Sequence, residues 1–212
     1  MPDTSPRYDD TIPNVDAYDL GIGAGFYINA TQEPYNKHYQ MYDYITKELP
    51  FLLHHELNIG KDGLKSIAGH SMGGHGALTI ALKQQGPEHW RSVSAFAPIC
   101  NPTNCPWGHK AFSAYLGSID SGKDHDATCL LLSSMKENET LPSYCYDDIL
   151  IDQGTADNFL VEQLKPEELI KAGEQCNQKI TLNMRNGFDH SYYFIAAFIE
   201  SHVEFHGQRL NK

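Results

Sequence analysis

Short apolar runs alternate along this chain with segments in which apolar residues recur at helical spacing. Apolar residues from Met41 to Leu53 follow the helical pattern and predict a helix over 37–55. Residues 64–68 form an apolar-centred run that predicts a buried strand, which Gly69 is expected to end. The same patterns predict, in chain order, a helix over 72–84, strands over 93–97 and 148–152, a helix over 166–176, a strand over 180–184 and a helix over 191–207. Strands that alternate with helices imply an α/β fold, with a mostly parallel sheet covered by helices on both faces.

The chain contains no internal repeat, low-complexity tract or domain linker. Its 212 residues suit one domain, which we expect to span residues 1–212. Residues 1–35 are expected to be loop-like because prolines and glycines interrupt them. Residues 100–140 are rich in Pro, Gly, Ser and Asp, so we expect an irregular insertion with short helices there.

Acidic residues outnumber basic residues by 27 to 16, which gives a net charge of −11. A negative surface argues against nucleic acid or an anionic membrane as a partner. No apolar run reaches the length of about 18 residues that a membrane-spanning helix needs. Residues 1–6 lack the basic and apolar regions of a secretory signal, so we expect a cytoplasmic protein.

Five cysteines are scattered along the chain, and their odd number fits the reduced thiols of the cytosol. Cys100 and Cys105 could form half of a metal site, but no matching second pair follows them. We therefore expect neither a bound metal nor a cofactor.

The segment Gly69-His70-Ser71-Met72-Gly73 matches the pattern G-x-S-x-G at the point where a predicted strand meets a predicted helix. Glycines at the flanking positions allow a serine to occupy a tight, strained turn that exposes its hydroxyl. The helix that follows supplies positive charge at its N-terminus, and the N–H of Met72 becomes one oxyanion donor. The pattern alone also fits a glycine-rich turn without chemistry, but its position between a strand and a helix favours a nucleophile at Ser71.

Chain order indicates the partners of this serine, since in such folds the acid follows a later strand and the histidine follows the last one. Asp157 lies just beyond the predicted strand 148–152, and His190 lies just beyond the predicted strand 180–184. Because the carboxyl ends of parallel strands share one edge of a sheet, both side chains are expected beside Ser71. His190 would then be the general base, and Asp157 would hold its tautomer and stabilise the imidazolium.

Other histidines compete with His190 for the role of base. His202 and His206 are expected on the surface of the last helix. His70 and His75 flank the nucleophile but cannot easily reach its hydroxyl, so we expect them to pack or bond locally.

Two acids that are close in sequence are alternatives to Asp157. Asp152 still lies within its predicted strand, and Asp189 adjoins His190 and is expected to point elsewhere. We therefore assign the role of the acid to Asp157.

Several longer segments resemble S-formylglutathione hydrolase, a family also called esterase D. The segments that carry the resemblance are, in chain order, residues 3–7 (Asp-Thr-Ser-Pro-Arg), 23–27, 69–78, 94–102, 105–108, 148–154 and 187–194 (Gly-Phe-Asp-His-Ser-Tyr-Tyr-Phe). The resemblance runs from about residue 2 to the C-terminus. It implies an α/β-hydrolase fold with Ser71, Asp157 and His190 as the catalytic triad, which agrees with the assignment from the residues themselves.

The resemblance implies hydrolysis of S-formylglutathione to glutathione and formate, the second step of formaldehyde detoxification, in the cytoplasm. It also implies side activity on small acyl esters, no metal and, in many members, a homodimer. Trp107 would line the acyl or glutathione pocket, with a packed core tryptophan as the alternative. A general carboxylesterase or acyltransferase of the same fold, and a non-catalytic remnant, are the other interpretations that the residues leave open.

The chain departs from the family at its start. Family members carry further residues before the segment that corresponds to 3–7, and these hold the first strands and a loop with a Ser-Gly-Leu-Thr-Cys-like sequence. That loop supplies the second oxyanion N–H, and no such segment occurs in these 212 residues. We therefore expect a partial domain without the N-terminal strands, in which the strand at 64–68 becomes an apolar edge and Met72 is the remaining oxyanion donor.

An oxyanion hole with a single donor should slow catalysis by the 212-residue chain. Loss of one donor costs about 3–4 kcal/mol of transition-state stabilisation, on the order of 10²–10³ in kcat. Steady-state hydrolysis of S-formylglutathione should be slower by that factor than hydrolysis by a family member with both donors. Full activity in a monodisperse sample would contradict this expectation.

Overall fold

The computed structural model describes residues 2–7, 11–13, 15–60, 64–84, 86–134 and 146–211. The α-helices are α1 (Met41–Asp43), α2 (Leu49–Leu57), α3 (Met72–Lys83), α4 (Pro106–Leu116), α5 (Ala127–Ser133), α6 (Pro166–Cys176) and α7 (Tyr192–Leu210). The strands are β1 (Ile67–His70), β2 (Val93–Phe96), β3 (Ile149–Gly154) and β4 (Ile180–Arg185). Shorter helical segments are the π-turns Tyr44–Glu48 and Leu160–Leu164 and the 3₁₀ turns Pro102–Asn104 and Asp120–His125. None of the described helices has both the length and the apolar character needed to cross a membrane.

The four strands form one sheet in the order β1-β2-β3-β4, and every neighbouring pair is parallel. Alternate residues of β2 face opposite sides, because successive side chains of a strand point in opposite directions. Val93 and Ala95 pack in the core that α3, α5 and α6 form on one face. Ser94 and Phe96 contact α7 on the other face. The prediction of a parallel sheet covered on both faces is therefore confirmed.

Strand β1 lies at the edge of the described sheet, where it pairs with β2 alone. An open groove of about 330 Å³ runs beside it. Apolar side chains from several parts of the chain line this groove, among them Tyr27, Ile45, Ile80 and Ile195. The strand begins later than predicted and continues through Gly69, which pairs with Ala95. Gly69 therefore does not end β1, and the apolar edge expected here is present in the described residues.

The first long helical region begins and ends later than the predicted 37–55. Gln40 pairs with Asn29 in an isolated bridge, so the helical turns start at Met41. At the other end Asn58 adopts a left-handed conformation with φ 53°, which is a common way to terminate a helix. Residues 100–140 contain the expected short helices as far as Ser134, and residues 135–145 lie outside the described part of the chain.

The expectation that His202 and His206 lie on the surface of the last helix is wrong. His202 is buried, and its Nδ1 lies 2.8 Å from the hydroxyl oxygen of Ser94. The two ring nitrogens of His206 lie 2.7 and 2.8 Å from the hydroxyls of Ser92 and Ser94. Burial lowers the pKa of His206 to about 4, so this histidine is neutral at neutral pH. A polarity pattern predicts that histidines lie in solvent, whereas here Ser94 of β2 and the preceding Ser92 provide these two histidines with buried hydrogen-bond partners.

Removal of the Ser94 hydroxyl should destabilise the fold. Ser94→Ala leaves one ring nitrogen on each of His202 and His206 without this partner in a buried site, which costs about 1–3 kcal/mol in free energy of unfolding. Urea unfolding should be compared with that of Ser133→Ala, whose exposed hydroxyl bonds only within its own helical turn. Equal stability of the two variants would contradict this role for Ser94.

Candidate active site

Ser71 occupies a sharp turn between the end of β1 and the start of α3. Its backbone has φ +57° and ψ −117°, a strained conformation for a residue with a side chain. A Cβ atom added to Gly69 would lie 2.1 Å from the carbonyl oxygen of Gly73, so only glycine allows β1 and α3 to approach this closely. The tight strand-to-helix turn that the motif predicts is therefore present.

The backbone on both sides of Ser71 is held by the sheet and the helix. The Ser71 N–H donates to the carbonyl of Phe96 at 2.9 Å, and the Ser71 carbonyl accepts from the His75 N–H at 2.9 Å. Met72 is the first residue of α3, and the first N–H groups of a helix have no acceptor within it. The Met72 N–H and the positive end of the helix dipole are thus available to an anion that forms beside Ser71.

Asp157 and His190 meet at the carboxyl ends of β3 and β4. His190 Nδ1 lies 2.6 Å from Asp157 Oδ2, and the carboxylate is fully buried. Two backbone bonds join the turns, from Thr155 N–H to the carbonyl of Arg185 at 3.0 Å and from Ala156 N–H to the carbonyl of Phe188 at 2.9 Å. The chain order of the sequence thus leads to direct contact between these two side chains.

The turn after β3 depends on the absence of a side chain at Gly154. A Cβ atom there would lie 2.2 Å from the carbonyl oxygen of Phe188 in the turn that carries His190. The two turns can therefore approach closely enough for Asp157 to reach the imidazole.

Three donors surround the Asp157 carboxylate. Burial by itself would raise the pKa of Asp157, but hydrogen bonds from His190, the Phe159 N–H and Gln153 outweigh it and hold the pKa below its usual range. The ionised carboxylate therefore fixes the proton of His190 on Nδ1 and leaves Nε2 as the basic nitrogen.

Two rings enclose the imidazole of His190 and bring it to the nucleophile turn. The ring of His70, the residue before Ser71, lies 4.5 Å from the ring of His190. Phe159 contacts His190 edge-on with ring centroids 5.2 Å apart. Neither Ser71 Oγ nor His190 Nε2 has a hydrogen-bond partner among the described residues, so proton transfer between them stays a prediction.

The two histidines that flank the nucleophile, His70 and His75, bond or pack locally, as expected. Burial, with a smaller contribution from the positive charge of a protonated His190, lowers the pKa of His70 to about 4. His70 is therefore neutral at neutral pH and lacks a carboxylate partner among the described residues. His75 is fully buried, and its Nε2 lies 2.6 Å from the carbonyl oxygen of His125.

The competing acids also lie elsewhere. Asp152 is buried and accepts hydrogen bonds from Asn183 at 2.7 Å and from Arg185 at 2.8 Å. Asp189 accepts from the backbone N–H of Ser191 at 3.0 Å. Neither carboxylate bonds to His190, and of the acids that the sequence offered, Asp157 alone does so within the described residues.

A cavity of about 170 Å³ adjoins Ser71 and Met72. Trp107 lines it from the first turn of α4, and Tyr18, Phe26 and Ile99 contribute most of the remaining apolar wall. The indole N–H of Trp107 donates to the hydroxyl of Tyr18 at 3.3 Å. Trp107 thus lines a pocket and also packs against Phe159, which combines the two interpretations that its sequence position allowed.

Sequence reasoning missed several residues of this site. Tyr18 and Phe26 come from the loop-like region 1–35, and Phe159 and Gln153 flank Asp157 on either side. No periodic or spacing signal distinguishes the first two. The other two could have been suspected only because they adjoin the assigned acid.

Comparisons with known proteins show which family and which solved structures this chain resembles. The Esterase family model matches residues 1–205. The chain is similar to an S-formylglutathione hydrolase from Agrobacterium tumefaciens, with 42% identity and a TM-score of 0.88, over 99% of this chain and 72% of that one. These matches confirm the resemblance found in the sequence.

Two solved structures from Staphylococcus aureus share the fold at lower identity. The fluorophosphonate-binding serine hydrolase FphF matches with 23% identity and a TM-score of 0.64, over 92% of this chain and 69% of its own. The S-formylglutathione hydrolase FrmB matches with 22% identity and a TM-score of 0.61, over 84% of this chain and 66% of its own. The α/β-hydrolase fold predicted from the sequence is thus confirmed.

Replacement of Asp157 should remove most of the activity while the fold persists. Asp157→Asn accepts a hydrogen bond less strongly and can hold His190 in the wrong tautomer, so kcat for p-nitrophenyl acetate should fall on the order of 10⁴. The matched control is Asp189→Asn, which changes the neighbour of His190. It should keep kcat within about threefold, because within the described part of the chain that carboxylate bonds only Ser191. Comparable losses in the two variants would contradict the assignment of the acid.

Proposed function

Because the chain belongs to the esterase family and within it to the S-formylglutathione hydrolases, we propose that this hydrolase splits S-formylglutathione into glutathione and formate. The observation that carries the proposal is the 2.6 Å contact between His190 and a buried Asp157, held next to the strained turn of Ser71. The reaction would belong to cytoplasmic formaldehyde detoxification.

In the first half-reaction His190 Nε2 takes the proton of Ser71, and Oγ attacks the thioester carbonyl. The carbonyl oxygen becomes an oxyanion near the Met72 N–H, where the dipole of α3 stabilises the charge. Collapse of this intermediate breaks the C–S bond and leaves a formyl group on Ser71. The glutathione thiolate leaves with the proton that His190 carries.

In the second half-reaction a water molecule attacks the formyl ester of Ser71. His190 takes a proton from the water, and Asp157 stabilises the imidazolium that forms. Formate leaves, the proton returns to Oγ, and the enzyme is restored. The same two residues therefore serve both steps.

The cavity beside Ser71 favours a small acyl group. A volume of about 170 Å³ with walls of Phe26, Ile99 and Trp107 has room for a formyl or short acyl chain. The wall of this cavity is mostly apolar, and its charged residue, Asp19, is paired with Lys110. Hydrolysis of other small carboxylic esters is therefore the second candidate function, and acyl transfer to an acceptor other than water is its variant.

Ser71→Ala should abolish hydrolysis of S-formylglutathione and covalent labelling by a fluorophosphonate probe, because both need the Ser71 hydroxyl. The native chain should label, and the control Ser201→Ala, which removes an exposed hydroxyl bonded within α7, should label like the native chain. Labelling is read by gel fluorescence and turnover by release of free thiol.

The ratio of two substrates separates the candidate functions. A kcat/KM for S-formylglutathione well above that for p-nitrophenyl acetate supports the thioesterase, and the reverse order supports the general esterase. A folded chain that neither turns over a substrate nor labels would contradict both and support the non-catalytic remnant.

A further inference from the structure

Gln153 lies in β3 with its side chain fully buried and directed at the candidate acid. Its Nε2 donates to Asp157 Oδ2 at 3.1 Å and to the carbonyl oxygen of Gly154 at 3.1 Å. The same Oδ2 accepts the hydrogen bond from His190 at 2.6 Å. One carboxylate oxygen therefore receives both the imidazole and the glutamine amide.

The orientation of this amide is determined by its neighbours. The Asp157 carboxylate and the Gly154 carbonyl can only accept hydrogen bonds, so the amide must present its NH₂ group to both. A flipped amide would place Oε1 against two acceptors. Gln153 thus acts as a donor at this position.

The oxygen of the same amide group is left without a partner among the described residues. Gln153 Oε1 is buried and has no hydrogen-bond donor among the described residues. A buried polar atom without a partner costs stability, and an apolar side chain of the same length would avoid this cost. The sequence nevertheless places an amide here. Among the described side chains, this amide bonds to the Asp157 carboxylate, which in turn holds His190.

We propose that Gln153 is a positioning residue, which fixes the rotation of the Asp157 carboxylate so that Oδ2 stays aligned with the imidazole N–H. Phe159 N–H holds Oδ1 at 2.8 Å, so the two donors clamp the carboxylate at both oxygens. Without Gln153 the group can turn about its Cβ–Cγ bond, and the His190 ring loses its alignment towards Ser71. This inference rests on the proposed function of the site.

Gln153→Met tests the donor with little change in side-chain length. Misalignment of the base should lower kcat for p-nitrophenyl acetate by roughly ten- to a hundredfold with KM changed by less than about threefold. The far-downfield NMR resonance of the His190 Nδ1 proton should broaden or move upfield, since its hydrogen bond to Asp157 becomes less well defined.

Gln178→Met is the matched control, because Gln178 is a buried glutamine at the other end of the sheet. Its amide bonds the backbone of Tyr146 and Lys179 and does not contact the site. Gln178→Met should lose more thermal stability than Gln153→Met and keep the native kcat. A kcat for Gln153→Met within twofold of native, or losses of kcat that follow losses of stability in both variants, would overturn the proposal.

Gln153→Glu adds a test that distinguishes a hydrogen-bond donor from a residue with a purely structural role. The introduced carboxyl group can still donate to Asp157 while it is protonated, whereas its ionised form repels Asp157. The activity of this variant relative to the native chain should therefore exceed that of Gln153→Met at acid pH and fall as the pH rises. Equal losses in the two variants at every pH would contradict the donor role.

Failure of this proposal can be told apart from failure of the proposed function. The NMR signal and the rate of fluorophosphonate labelling compare Gln153→Met with the native chain and require no knowledge of the physiological substrate. If the native chain labels but does not hydrolyse S-formylglutathione, the proposed substrate is wrong and Gln153 can still be tested. If labelling and the resonance are unchanged in Gln153→Met, the inference about Gln153 is wrong whatever the substrate.

Discussion

The close approach of β1 and α3 at Gly69 is the constraint on which the site depends. With a Cβ atom at this position only 2.1 Å from the carbonyl of Gly73, any other residue would push the helix away from the strand. The turn between them forces Ser71 into a conformation that costs about 1–3 kcal/mol. The buried helix and the bond from Ser71 N–H to Phe96 hold this strain. The hydroxyl and the Met72 N–H are therefore in place before a substrate arrives, which is the arrangement that electrostatic stabilisation of a transition state requires.

A second glycine allows a similar close approach of backbone at the other side of the site. Gly154 lets the turn after β3 touch the turn after β4, and this contact brings the carboxylate of Asp157 to His190. Both contacts are made by backbone and lie at the carboxyl edge of the sheet, where parallel strands gather their loops. Two glycines thus allow the close backbone approaches that position the candidate residues Ser71, Asp157 and His190.

The features that the sequence predicted well are those with a local or ordered signal. The helix at Pro166–Cys176 has a proline in its first turn and matches its predicted bounds, and the order of Ser71, Asp157 and His190 follows the strands. The end of β1 was less accurate, because Gly69 resembles a strand end although it pairs with Ala95 within the sheet. Contacts between residues that are distant in sequence leave no local pattern. The contact of Gln153 with Asp157 can be seen only in the folded turn after β3.

Buried polar residues explain both the wrong prediction for His202 and the alignment of Asp157 with His190. His202 was expected in solvent, yet it is buried against Ser94 on the face that α7 covers. Strand β3 carries two consecutive polar residues on opposite faces, with Asp152 bonded to β4 and Gln153 bonded to Asp157. A slip of one residue in the pairing of β3 with β4 would move Asn183 away from Asp152 and His190 away from Asp157. The register that pairs β3 with β4 is therefore also the register that places the candidate acid against His190, so the sheet and the candidate site depend on the same pairing.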